Sequence, residues 1–141
     1  MVACIPFFAA AQPRGVNTIT VHGMTLSQID DSLNAKGFQI AKIEGDVITT
    51  KPRQYYSVED ERRKDHASIV IMVKPSGGDV AISAMYTYDE LETKILGPHE
   101  QTGKPTRVEN GYTKGSYMRR AFEYLNDFAK SLNNNLSYTR Q

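Results

Sequence analysis

Ala67-Ser-Ile-Val-Ile-Met-Val-Lys74, followed by Pro75-Ser-Gly-Gly-Asp79 and then by Val80-Ala-Ile-Ser-Ala-Met-Tyr-Thr-Tyr88, is the stretch on which the fold turns. The first run is almost continuously apolar, as a strand in the middle of a sheet must be. Pro75, Gly77, Gly78 and Asp79 supply turn chemistry between the two runs. In the second run Val80, Ile82, Ala84, Tyr86 and Tyr88 alternate with Ala81, Ser83, Met85 and Thr87, the signature of a half-buried antiparallel strand. Two adjacent strands at the centre of a sheet create an apolar face that something else in the chain must cover.

Two segments have the stripe to do so. Thr25-Leu-Ser-Gln28 matches a capping box, with the Thr25 hydroxyl placed for the Gln28 amide and the Gln28 side chain for the Thr25 amide, while Met24 and Ile29 are spaced as a hydrophobic staple. Leu26, Ile29 and Leu33 then form one apolar stripe, and Gly37 followed by Phe38 makes a Schellman ending, so the spacing predicts a helix over 24–36. Near the C-terminus, Met118, Ala121, Phe122, Leu125, Phe128, Ala129 and Leu132 recur at helical spacing opposite Arg119, Arg120, Glu123, Asp127 and Lys130, which predicts a longer helix over 116–132. Burying its Met, two Phe and two Leu contributes on the order of 7 to 15 kcal/mol before entropy, an upper figure.

The remaining strands are shorter. Residues 16–21 are β-branched, and 38–44 and 47–51 read as two strands around Gly45-Asp46 with Pro52 as the stop. Apolar alternation slips between Ile40 and Ile43, predicting a bulge or a change of buried face. Residues 53–66 read as an irregular surface stretch. Within it Ser57 is placed to cap a short helix in which Glu59 faces Arg63 and Asp60 faces Lys64, at about 0.3 to 0.5 kcal/mol per pair. Between 89 and 113, Leu91, Ile95 and Leu96 allow a short strand or a helical turn, and Gly103, Pro105 and Gly111 mark loop. The expected order is βαββββα: an α+β domain over 16–141, with a mostly antiparallel sheet of about five strands packed by the long C-terminal helix.

A capped helix, Gly37-Phe38, an alternating strand and Val47-Ile48-Thr49-Thr50, in that order from Met24 to Thr50, together with the terminal helix, cover about half the chain. In this outline the sequence resembles the TATA-binding-protein-like or helix-grip modules of small exported bacterial proteins, among them lipoprotein accessory domains of outer-membrane assembly. The resemblance implies a fold and a cell-envelope address. It brings no catalytic residues with it.

The 141 residues suit one domain, and 17 Lys and Arg against 16 Asp and Glu leave a formal charge of +1. A balance this neutral gives no long-range attraction to nucleic acid. Residues 1–15 are expected to be a leader with a short tail. Val2 to Ala11 is uncharged and apolar and ends in Ala9-x-Ala11, like the tail of a signal peptide, although the basic n-region is missing. Met1-Val2-Ala3-Cys4 also resembles a lipobox, in which Cys4 carries a lipid anchor. The competing reading is a buried first strand or a tail in a cytosolic protein. No segment is apolar for 18 residues, so no transmembrane span is expected. Cys4 is the only cysteine, which rules out an internal disulfide and a zinc site built on thiolates. The expected location is the periplasm, the outer-membrane surface or the medium.

Chemistry is sparse. His22, His66 and His99 lie far apart with no metal-ligand spacing, and only His66 has a neighbouring carboxylate, Asp65. No nucleophile setting accompanies it. Glycines fall in turns without a phosphate-binding pattern, and the acids Asp30-Asp31 and Asp89-Glu90-x-Glu92 are explained without a bound ion. Neither cofactor nor metal is expected, nor is enzymatic activity. Of the eight tyrosines, Tyr86 and Tyr88 share a strand face and Tyr117 and Tyr124 share the last helix. A groove between sheet and helix lined by these four would suit an apolar or sugar ligand, and packing at the core edge explains the same residues. The primary expectation is a non-catalytic exported module that binds an envelope partner through its sheet or its 53–66 segment, with Tyr55, Tyr56, Arg62 and Arg63 as contact residues. A small-molecule carrier is the alternative.

Overall fold

The long hairpin is the spine of the molecule. In the computed structural model, which describes residues 14–59, 64–90, 104–111 and 116–141, β5 (Lys64–Ser76) and β6 (Asp79–Glu90) pair from Asp65↔Glu90 to Ser76↔Asp79. Gly77 and Gly78, at φ of +56° and +88°, make the two-residue turn that joins them. The other strands add on both flanks. β1 (Thr18–Val21), β2 (Ile40–Glu44), β3 (Val47–Thr50) and β8 (Leu136–Thr139) complete the order β2-β3-β5-β6-β1-β8. β4 (Arg53–Glu59) pairs with the first half of β5, and the two-residue β7 (Thr106–Arg107) with β6. Every pairing among the described residues is antiparallel.

One face of this sheet is the core. Ile48, Val73, Ile82 and Ile19 are in register across four strands, and all are buried. Ala67, Ile69 and Ile71 on β5 face Tyr88, Tyr86 and Ala84 on β6 in the same way. The helices α1 (Leu26–Ala35) and α2 (Tyr117–Leu132) supply the cover, α1 through Ile29 and Leu33, α2 through Met118, Ala121, Phe122, Leu125 and Phe128. The ends of α1 are those its sequence dictates. Thr25 Oγ1 accepts from the Gln28 amide at 3.1 Å, and Gln28 Oε1 accepts from the Thr25 amide at 2.9 Å. At the far end the Phe38 amide donates to the Leu33 carbonyl and the Gly37 amide to the Asn34 carbonyl, with Gly37 at φ +87°.

The α+β class and the mostly antiparallel sheet agree with expectation; strand number and order need correction. The described residues form eight strands rather than about five, and β8 follows α2 instead of that helix being the last element. Residues 53–59 and 64–66 are strand, not an irregular stretch with a short helix at Ser57. The physical reason is that Tyr55, Tyr56 and Val58 favour extended backbone, and a ladder along β5 outweighs two exposed helix ion pairs. The slip between Ile40 and Ile43 is a bulge, with the β2–β3 register shifting between Ile40 and Lys42. A second bulge, between Gln54 and Tyr56 in β4, has no counterpart in the sequence reading. Cys4, the Ala9-x-Ala11 site, Arg62, Arg63, His99 and the proposed elements around Leu91, Ile95 and Leu96 lie outside the described residues.

Candidate functional site

The bulge in β4 turns two consecutive aromatic residues toward α2. A bulged residue adds one position to the strand, so Tyr55 and Tyr56 escape the usual alternation and both reach the helix. The Tyr55 hydroxyl donates to the Tyr117 carbonyl at 2.9 Å, and its ring lies 6.0 Å from that of Tyr124. Tyr56 meets Tyr117 edge-on at 5.3 Å, and Tyr117 stacks on Tyr88 at 3.7 Å. Phe38, just past the end of α1, sits edge-on to Phe128 at 5.5 Å and to Tyr124 at 6.4 Å. The result is a continuous aromatic seam where α2 crosses β4 and the end of α1.

Of the four tyrosines proposed to line a groove, Tyr86, Tyr88 and Tyr117 are buried in the core at 2%, 0% and 6% exposure. They fill the space between sheet and helix. Tyr124 is half-buried and lines an open cleft of about 360 Å³ together with Phe38, Phe128, Lys36, Arg53 and Asp127. Arg53 closes one side of the cleft. Its guanidinium lies 4.5 Å from the Phe38 ring centre, and one of its nitrogens donates to the Lys36 carbonyl at 2.6 Å. Arg120 on α2 covers Tyr56 in the same manner at 4.7 Å. In each pair the cation lies within attractive range of the ring face. The structure thus brings Tyr55, Tyr56, Tyr117 and Tyr124 to one seam, and puts Tyr86 and Tyr88 beneath it.

A second constellation lies across β1, at the end remote from this seam. His22, one residue beyond β1, has Nδ1 2.8 Å from Asp79 Oδ2 and Nε2 2.6 Å from Ser137 Oγ. Asp79 Oδ1 also accepts from the Gly23 amide at 3.2 Å. The hydrogen bond from His22, and then that from the Gly23 amide, hold the Asp79 carboxyl below its ordinary value. Sequence reasoning noted His22 and the turn residue Asp79 separately and did not join them to Ser137, because they are 57 and 115 positions apart in the chain. The one available signal was Asp79 in the hairpin turn, opposite the end of β1 once β1 is paired with β6. The histidine that sequence did single out, His66, has Nδ1 3.2 Å from Ser57 Oγ across the β4–β5 ladder. Among the described residues no group of three or more His, Cys, Asp or Glu side chains is placed to hold a metal ion. No helix among them is long and apolar enough to cross a membrane.

No protein-family model matches the chain, and no curated protein matches it.

Proposed function

We propose that this chain is a binding module of the bacterial cell envelope, and that the seam between α2 and β4 holds an acidic segment of a partner protein. Binding rather than bond-breaking is what this surface is suited to. The observation that carries the reading is the Arg53 guanidinium over the Phe38 ring at 4.5 Å, both lining the 360 Å³ cleft. Tyr and Arg are the residues that most often dominate binding energy at interfaces, because each combines large contact area with directional donors. Here Tyr55, Tyr56 and Tyr124 are half-buried, so their rings are already ordered and cost little entropy on binding.

Charge gives the partner its sign. Lys36, Arg53 and Asp127 line the cleft, and Arg120 covers Tyr56 beside it, so among these described residues positive charge is in excess. A carboxylate that reaches Lys36 and Arg53 would bring an adjoining apolar side chain over Phe38 and Phe128. The envelope address is supported by the apolar run that ends at Ala9-x-Ala11 and by the outline of capped helix, strand pair and terminal helix.

Affinity capture of the full chain from envelope fractions, with quantitative recovery of whatever copurifies, tests the reading. The charge reversals Lys36→Glu and Arg53→Glu together should lower recovery of the partner at least roughly tenfold, an effect of about 1.4 kcal/mol. Ile43→Ser, on the exposed β2 edge, should leave it unchanged. Equal recovery by wild type and the charge-reversed variant would remove the proposal.

A further inference from the structure

The trio at the other end of the sheet is chemically independent of the binding seam. His22 bridges a carboxylate and a hydroxyl, and the bridge has a direction. An ionised carboxylate can only accept, so Nδ1 carries the proton toward Asp79, and in the neutral imidazole this leaves the Nε2 lone pair facing Ser137 Oγ at 2.6 Å. The His22 main chain is anchored as well: its amide donates to the Asn135 carbonyl at 3.0 Å, and Asn133 Nδ2 donates to its carbonyl at 2.8 Å. The His22 and Asp79 side chains are 32% and 30% exposed, so a small reactant can reach them.

We infer that Ser137 is an activated nucleophile, with His22 as its general base and Asp79 as the positioning residue, and that it takes the acyl group of small esters. Nucleophile, base and orienting acid are each within hydrogen-bond reach of the next, which is the arrangement that acyl transfer requires whatever the fold. In the first half of the reaction Ser137 Oγ bonds to the ester carbonyl carbon as its proton passes to His22 Nε2. The ester C–O bond then breaks, Nε2 returns that proton to the departing alcohol oxygen, and an acyl-Ser137 ester remains. In the second half a water loses its proton to Nε2 and attacks the acyl carbon, the bond from that carbon to Ser137 Oγ breaks, Nε2 returns the proton to Oγ, and the carboxylic acid leaves. Thr20 stands directly across the β1–β8 ladder from Ser137 on the same face, a hydroxyl donor available to the developing oxyanion. The site lies on an open sheet face at a strand end, which suits compact esters.

The test is covalent labelling of the full chain with a fluorophosphonate, which phosphonylates an activated serine with loss of fluoride, read by intact mass and by tandem mass spectrometry. A single adduct on Ser137 is expected. His22→Gln and Asp79→Asn, each shown to be folded by circular dichroism, should label at least roughly 100-fold more slowly. Added imidazole should restore part of the rate to a His22→Gly variant. Absence of an adduct on Ser137, an adduct only elsewhere, or equal labelling with and without His22 would overturn the inference and leave the trio as a structural tie between β1, β6 and β8.

Discussion

Individual side chains show most clearly which contacts a sequence can announce. The Thr25–Gln28 capping box and the Gly37–Phe38 ending were legible because every partner lies within five residues, where the geometry of one helical turn fixes the outcome. The Ser137–His22–Asp79 trio was not legible, since its members meet only after three strands have paired. Two predictions belong at this scale. Gly37 has φ +87°, a conformation that L side chains rarely adopt, although a Cβ there would make only ordinary contact with the Arg53 guanidinium at 3.5 Å. Gly37→Ala should therefore destabilise the protein by about 1 kcal/mol or more in denaturant titration. Asp79 has a folded-state pKa depressed below its unfolded value by His22 and Gly23. Its contribution is thus fully present above the unfolded value of about 3.9 and is lost as the pH falls through the lower folded value. Melting temperatures of wild type and Asp79→Asn measured against pH should differ near neutrality and converge at acid pH.

At the level of helices and strands, local pattern succeeded where one face is buried and failed where tertiary pairing decides. The bounds of α1 and α2 follow from caps and stripe, and α2 begins on Ser116, whose hydroxyl accepts from the Arg119 amide at 3.1 Å. β4 was misread because its charges and tyrosines look solvated until β5 pairs with them. β8 was missed because its four residues follow an Asn run and carry no alternation long enough to notice. Its place depends on remote partners: Asn17 Nδ2 donates to the Gln141 carbonyl at 3.0 Å, and the Tyr138 hydroxyl donates to Asn126 on α2 at 2.6 Å. Thr25→Ala should cost about 1 kcal/mol, most visibly as faster exchange of the first α1 amides. Leu125→Ala, which empties a fully buried position between α2 and the sheet, should cost about 2 to 5 kcal/mol in the same titration.

For the molecule as a whole, the hairpin β5–β6 organises everything else, and the two flanks carry different chemistry. On one flank α2 and β4 expose an aromatic floor bordered by guanidinium groups. On the other, β1, the β5–β6 turn and β8 converge on the trio around His22. The fold class was within reach of sequence because 67–88 alone demands a sheet and α2 alone demands something to cover. The seam's tyrosines were legible one by one, but their meeting was not, nor was the trio, because each depends on a bulge or a register that long-range pairing sets. Site-specific photo-crosslinking in living cells separates the two flanks most directly. A benzophenone side chain at Tyr124 is predicted to give one discrete protein adduct that Lys36→Glu with Arg53→Glu abolishes, whereas the same probe at Ile43 gives none. An adduct at Ile43 with none at Tyr124, or a Tyr124 adduct indifferent to those charges, would contradict the binding seam.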